Sequence, residues 1–298
     1  WRVFAPAMLK RARHEGIPNF HIFGEVAAES VDVAQLARHT RVDGLPSVLD
    51  FAFARAVEET VAGNAGTSVL ARLYADDGLY EGGAAAAMRL PTFTGNHDFG
   101  RFAFLVERAR PQAGDAEVLQ RVMLSNAMLF LLRGVPVVYY GDEQGFAGHG
   151  IDQASRQDMF ASQVASYNDQ PLLGTASTTA RENFDALHPL YKQVAELASW
   201  RKQYAALRRG RQVVRAEARE PGLFAASRLG SDGREILLAF NTSTAPLAAQ
   251  VEIQPGTSAF QSLHGDCPRP AAPGSVKIQL PPLGYVACVA VTSNEGVK

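Results

Sequence analysis

Asn96, His97 and Asp98, with Arg101 three residues on, are the side chains whose types and spacing are best suited to chemistry in this chain. They close the segment Thr92-Phe93-Thr94-Gly95-Asn96-His97-Asp98-Phe99-Gly100-Arg101, where polar groups follow at once on a short apolar run. A strand that ends in an amide, an imidazole and a carboxylate can present several hydrogen-bonding groups and one charge to a ligand from a single tip. The simpler reading is a capped turn, because Asn and Asp bond their own backbone in loops.

Two further segments weigh against the turn. Phe20-His21-Ile22-Phe23-Gly24-Glu25 is another short apolar run ending in a carboxylate, and Gly134-Val135-Pro136-Val137-Val138-Tyr139-Tyr140-Gly141-Asp142-Glu143 is a third. Three strand-like runs, each ending in polar groups and separated by helical sequence, are what a parallel β/α barrel produces at its C-terminal face.

In this order the three motifs resemble the α-amylase family of glycoside hydrolases and transglycosidases. The resemblance runs the length of the chain. It implies the C-terminal half of a (β/α)8 TIM barrel over residues 1–210, strands five to eight, followed by an antiparallel β-sandwich domain over 211–298. Gly24-Glu25 then matches the end of the fifth strand. The first four strands, an inserted loop domain and the nucleophilic aspartate at the end of the fourth strand have no counterpart. The start of the chain is in keeping with this, since Trp1 to Met8 opens on apolar residues at helical spacing with no cap before it.

Retaining glycoside hydrolysis needs an acid to protonate the leaving oxygen and a carboxylate to attack the anomeric carbon, about 5–5.5 Å apart. The resemblance implies that Glu25 is the acid, a role that requires a proton held near the working pH. Asp98 is then the second carboxylate, binding sugar hydroxyls and favouring the oxocarbenium-like transition state. His97 and Asn96 join it in binding substrate. Arg101 is placed with the substrate-binding set, although an arginine there is more often a structural ion-pair partner. Gly95 occupies a position where relatives often carry a polar residue. Arg156 and Asp158, in the loop after Glu143, either reach substrate or pin their loop, and pinning is the expectation.

The implied function is hydrolysis of α-1,4-glucosidic bonds in starch-like glucans or maltooligosaccharides. The runner-up is a transglycosidase or a member acting on disaccharides such as sucrose or trehalose, because the same acid and nucleophile serve both chemistries. A non-catalytic barrel module is a third reading, and the presence of both Glu25 and Asp98 argues against it. Lacking the nucleophile, the span by itself is expected to be inactive.

Composition fits a piece of an ordinary globular enzyme. A chain of 298 residues, 47% apolar with net charge −1, can bury a large core across two domains. With no basic face, neither nucleic acid nor an anionic membrane is an expected partner, and no run approaches a membrane span. No His, Cys or carboxylate cluster has metal spacing, so no metal or cofactor is expected here. Calcium, which many members of the family bind with the absent insertion, stays open for the longer protein. Oligomeric state is undetermined. Cys267 and Cys288 both fall in the tail, where a buried free thiol and a disulfide are both open. An exported location is favoured over a cytoplasmic one.

Two strands and three helices frame these motifs. The spacing predicts a strand over 44–51 with a helix over 52–61, a strand over 90–94, a helix over 115–133, and a helix from Pro189 to Gly210. Beyond that, short strand-like runs cover 212–214, 223–229, 235–241, 251–253, 276–280 and 285–291, with a hairpin signal at Gly230-Ser231-Asp232-Gly233.

Overall fold

The computed structural model describes residues 1–270 and 272–291. Four parallel segments form half of a β/α barrel. A parallel bridge between Gly24 and Val48 joins the first two, with Gly24 N donating to Ser47 O and Leu49 N to Gly24 O, each at 3.0 Å. Asp50 N donates to Pro91 O at 2.9 Å and joins the second to the third. Strand β1 (Pro91–Thr92) then pairs in parallel with β2 (Val135–Pro136). Regular pairing is shorter than the apolar runs predict. Asp50 leads straight into the helix Phe51–Val57 and accepts from Phe53 N at 3.0 Å, so the strand gives way to a capped helix at once. Gly134 has φ +115°, and a Cβ there would lie 2.3 Å from Thr92 Cγ2, so only glycine lets the fourth segment lie this close to the third.

The outer two segments carry exposed apolar side chains, Phe20 and Phe23 on one and Val135 and Val137 on the other. Helices Val33–Arg41, Phe51–Val57 and Asp115–Leu131 cover the outside. The last of these stops two residues short of the predicted end. Arg133, the last residue of the predicted helix, lies beyond its observed end and is fully buried between two carboxylates. Its Nη1 donates to Asp50 Oδ2, its Nη2 meets Asp77 Oδ1 at 2.6 Å, and the Tyr74 ring lies 5.1 Å from the guanidinium. The two carboxylates hold Arg133 well above its ordinary pKa against the opposing effect of burial.

The tail is a sandwich of a five-stranded and a two-stranded antiparallel sheet. The larger has the order β3 (Arg211–Ala216), β4 (Leu223–Leu229), β5 (Glu235–Asn241), β9 (Tyr285–Ala290) and β7 (Phe260–His264). The smaller pairs β6 (Leu247–Glu252) with β8 (Ser275–Leu280). β7 was not expected, because Phe260-Gln261-Ser262-Leu263-His264 carries only two apolar residues and lies at the sheet edge. The long helix predicted to reach Gly210 breaks at Tyr204, giving Pro189–Gln203 and Ala205–Arg209.

The central strands are apolar on both faces, and alternation decides which face each residue serves. Phe224, Ala226, Ile236, Leu238, Phe240, Ala287 and Val289 belong to the core shared with the half barrel. Ala225, Leu237, Ala239, Val286 and Cys288 pack against β6 and β8. Two arginines fasten the seam by capping helix C-termini, where unpaired carbonyls concentrate negative charge. Arg228 donates to Leu131 O at 3.2 Å and Gly210 O at 3.1 Å, and Arg201 donates to Phe130 O at 2.7 Å and Leu207 O at 3.0 Å.

Cys267 and Cys288 form a disulfide across 21 residues, tying the segment after β7 to β9. The free-thiol alternative is therefore set aside.

Candidate active site

Asp98 lies in a loop built by Asn96. The Asn96 side-chain oxygen accepts from the backbone N–H groups of Asp98 and Phe99, both at 2.9 Å, and Asn96 N donates to Gly100 O at 3.0 Å. The turn reading of Asn96 is thus correct as geometry, and only its amide nitrogen is left for a ligand. The same tight loop accounts for Gly95, since a Cβ there would lie 2.8 Å from Phe102 N and 2.9 Å from Gly100 O.

Held in this way, His97 and Asp98 project into solvent with side chains 46% and 50% exposed. His97 Nε2 lies 3.2 Å from Asp98 Oδ2. Arg156 Nη2 lies 3.0 Å from Asp98 Oδ1 and 2.8 Å from Asp152 Oδ1. Ion pairs this exposed contribute little to stability, about 0–1 kcal/mol, so their effect is to orient the carboxylate. The loop after β2 is fixed against the Asp98 loop by backbone contacts as well. Ser155 Oγ donates to His97 O at 3.0 Å, Tyr139 Oη donates to Ser155 O at 3.1 Å, and Asp152 N donates to Asp98 O at 3.1 Å. Asp152 adopts φ +52°, a left-handed conformation that costs a non-glycine residue energy unless its surroundings hold it.

Arg101 does not belong with the substrate-binding residues. Its side chain is fully buried, donating to Gln157 Oε1 at 2.8 Å and, through Nη1, to Tyr140 O and Asp142 Oδ1 at 2.7 Å each. The rings of Tyr139, Tyr140 and Phe146 enclose it at 4.3, 5.3 and 5.1 Å. Walled off by aromatic rings, it cannot touch a sugar, and instead it ties the loops after β1 and β2 together. Asp158 accepts from Ser162 Oγ at 2.6 Å and so pins its own loop, whereas Arg156 both pins Asp152 and grips Asp98.

Burial raises Asp142 from 3.8 to about 6, with Arg101 opposing and Glu143 adding to the rise. In that window the folded chain holds a proton that the unfolded chain has released. The contribution of this group to stability is therefore complete below the ordinary carboxylate value and is lost as pH rises through about 6. Asp142→Asn is expected to flatten the stability profile between these limits. An unchanged slope in denaturant titrations across that range would count against the assignment.

Glu25 follows directly on the Gly24–Val48 bridge, at the C-terminal end of the first parallel segment, and its side chain is exposed. It makes no hydrogen bond or ion pair among the described residues. Ser155, Gln157 and Tyr139 had no signal in the sequence, because their partners lie 16 to 58 residues away. His188 is a core histidine with its ring nitrogens satisfied. It is buried, contacts Leu173 O at 3.0 Å and accepts from Leu190 N at 3.2 Å at the start of its helix. Among the described residues, no three metal-ligating side chains come together, and no helix is long and apolar enough to cross a membrane.

Known proteins share this fold. Among solved structures, an Anoxybacillus α-amylase superposes with a TM-score of 0.73 at 21% identity, covering 96% of this chain and 55% of that one. A Geobacillus thermoleovorans α-amylase complexed with acarbose gives 0.71 at 20% identity, covering 92% and 54%. At these identities the likeness speaks for the fold, half of a TIM barrel followed by a β-sandwich. An α-amylase of Streptomyces lividans is 40% identical over 267 residues, 89% of this chain and 29% of that protein. A cyclomaltodextrin glucanotransferase of Niallia circulans is 32% identical over 151 residues, 49% of this chain and 17% of that protein. The chain thus spans less than a third of these curated relatives. The sequence model of the α-amylase catalytic domain matches residues 2–210, the span that holds both strand-tip carboxylates, and the chain belongs to the α-amylase family of glycosidases.

Proposed function

We propose that the protein containing this chain is a retaining glycoside hydrolase that cleaves α-1,4-glucosidic bonds in starch-like glucans or maltooligosaccharides. The observation that carries the reading is the placement of two carboxylates, Glu25 and Asp98, after parallel segments of one half barrel. Glu25 donates its proton to the glycosidic oxygen as the bond breaks, then takes a proton from the water that releases the sugar. Asp98, oriented by His97 and Arg156, binds ring hydroxyls and stabilises the positive charge that develops on the sugar. His97 and the Asn96 amide nitrogen add hydrogen bonds to substrate. The nucleophilic carboxylate is assigned to a segment outside residues 1–298. Calcium enters no step assigned to these residues. The disulfide supports an exported location, because such bonds persist in oxidising compartments.

The same groups serve transglycosylation when a sugar hydroxyl in place of water attacks the intermediate, and the likeness to a cyclomaltodextrin glucanotransferase keeps that reading in second place. Chromatography of the products from soluble starch and from sucrose separates the two. Linear maltooligosaccharides from starch with sucrose untouched are expected of the longer protein. Cyclic or elongated products would favour the transferase, and turnover of sucrose the disaccharide reading. Residues 1–298 expressed alone are expected to release no sugar and to aggregate, because the outer segments leave apolar side chains uncovered. Measurable hydrolysis by the purified span would show that the nucleophile has been misplaced.

A further inference from the structure

Asp142 and Arg101 form an ion pair at 2.7 Å beneath the exposed groups that surround Asp98, with the arginine fully buried and the acid largely so. No other carboxylate pairs with Arg101 among the described residues. Its remaining donors go to neutral oxygens, Nη1 to Tyr140 O at 2.7 Å and Nε to Gln157 Oε1 at 2.8 Å, and Nη2 has no partner. Gln157 is itself buried and donates to Gln170 Oε1 at 3.0 Å, which fixes its amide with the oxygen toward Arg101. One guanidinium thus gathers three points of the segment after β2.

Its place in the chain links it to Asp98. Arg101 follows the tight turn that Asn96 N closes by donating to Gly100 O. Gln157 directly follows Arg156, whose guanidinium meets Asp98 Oδ1 at 3.0 Å. Ser155 Oγ holds His97 O, and Asp152 N holds Asp98 O. The contacts that reach Asp98 from outside its own loop therefore come from a loop that Arg101 fastens down, and the one counter-charge fastening Arg101 is Asp142.

We propose that Asp142 is a positioning residue for Asp98: its negative charge, acting through Arg101, keeps the loops after β1 and β2 in the register at which Asp98 meets the sugar. The role of Asp98 rests on the function proposed above; the joining of the loops rests on the buried pair. A proton on Asp142 leaves a buried guanidinium without its counter-charge, the costly way to break a buried pair. The charged groups that face Asp142 are Arg101 and Glu143, and the rings of Tyr139 and Tyr140 lie over the same guanidinium. The side chains packed over it from the neighbouring helices, Phe102, Val122, Asn126 and Leu190, carry no charge. Burial brings its titration to about 6 against the pull of Arg101. Above that value the pair forms, and below it the loops lose their fastening.

Asp142→Asn keeps the size of the side chain and an oxygen for Arg101 but carries no charge. Burial already favours the neutral form, so the fold is retained. In a protein that carries this chain within a complete catalytic domain, kcat/KM on a maltooligosaccharide is measured for parent and variant across pH. Their ratio cancels every other titrating group of the site. The variant is expected to lose about tenfold at about pH 7, within the roughly 10²-fold that a displacement of about 1 Å can cost. At about pH 5, where most of the parent's Asp142 is itself protonated, the difference should narrow to about twofold. Gln157→Glu added to Asp142→Asn returns a carboxylate to Arg101 from its other side and should recover most of the loss at about pH 7.

Hydrogen–deuterium exchange over residues 94–101 and 152–158, without substrate and corrected for intrinsic rates, follows the loops themselves. Protection in the parent is expected to fall between about pH 7 and about pH 5, and to be low at both in Asp142→Asn. A loss that stays constant with pH, or that the double variant leaves in place, would overturn the positioning role of the charge. Turnover and exchange both indifferent to Asp142→Asn would overturn the coupling while the proposed function stands. Exchange that follows Asp142 in a protein that turns over no glucan would leave the coupling standing and overturn the proposed function instead.

Discussion

In a protein that carries this chain within a complete catalytic domain, Glu25→Gln is expected to lower turnover of an unactivated glucan by about 10²–10⁴-fold, the range for a lost general acid. Glutamine keeps the size and hydrogen-bonding reach of the side chain but has no proton of the right acidity to give. A glycoside whose leaving group departs without protonation should lose far less in its bond-breaking step. That contrast distinguishes an acid from a binding group. Equal losses on the two substrates, measured as kcat/KM, would place Glu25 in substrate binding instead. Its exposed position at a strand end, free of ion pairs among the described residues, leaves its carboxyl open to a leaving oxygen.

The largest expected effect on stability comes from Arg133→Met, which should destabilise the fold by about 3–5 kcal/mol because it strands two buried carboxylates without their counter-charge. Asp50 and Arg133 are both fully buried, and Asp77 nearly so. Burial already raises Asp77 against the pull of Arg133, and without the arginine that rise would be larger. Asp50 has a second task as the N-cap of the helix Phe51–Val57, so disturbing the cluster loosens a helix as well as a charge pair. Denaturant unfolding reads the loss. Adding Asp77→Asn to Arg133→Met should restore part of it, since one of the stranded charges is then gone. A loss below about 1 kcal/mol, the range of exposed pairs, would contradict the buried-cluster account.

The features legible in the sequence were those that local order dictates. Short apolar runs ending at Glu25, Asp98 and Tyr140 could be read as strand tips because alternation of strand and helix needs nothing beyond neighbouring residues. The central tail strands were legible too, their apolar runs being long enough to bury both faces. What stayed hidden depends on partners far along the chain. Arg101 looked like a ligand group because it follows Asn-His-Asp, yet Tyr139, Tyr140 and Phe146 enclose it from 38 to 45 residues away. Arg133 looked like a helix-end charge, and only the fold brings Asp50 and Asp77 to it. Ser155 carries no motif at all, and it matters because it bonds the backbone beneath His97. β7 escaped because an edge strand needs few apolar residues to pair.

Glu25 and Asp98 are expected to act on one sugar. A crystal structure with bound acarbose, of a protein that carries this chain within a complete catalytic domain, tests it most directly. A sugar ring is expected within hydrogen-bonding distance of Asp98 and His97, with the Glu25 carboxyl beside the bond linking that ring to the next. An inhibitor that touches neither carboxylate, or only one with the other turned away from the cleft, would contradict it.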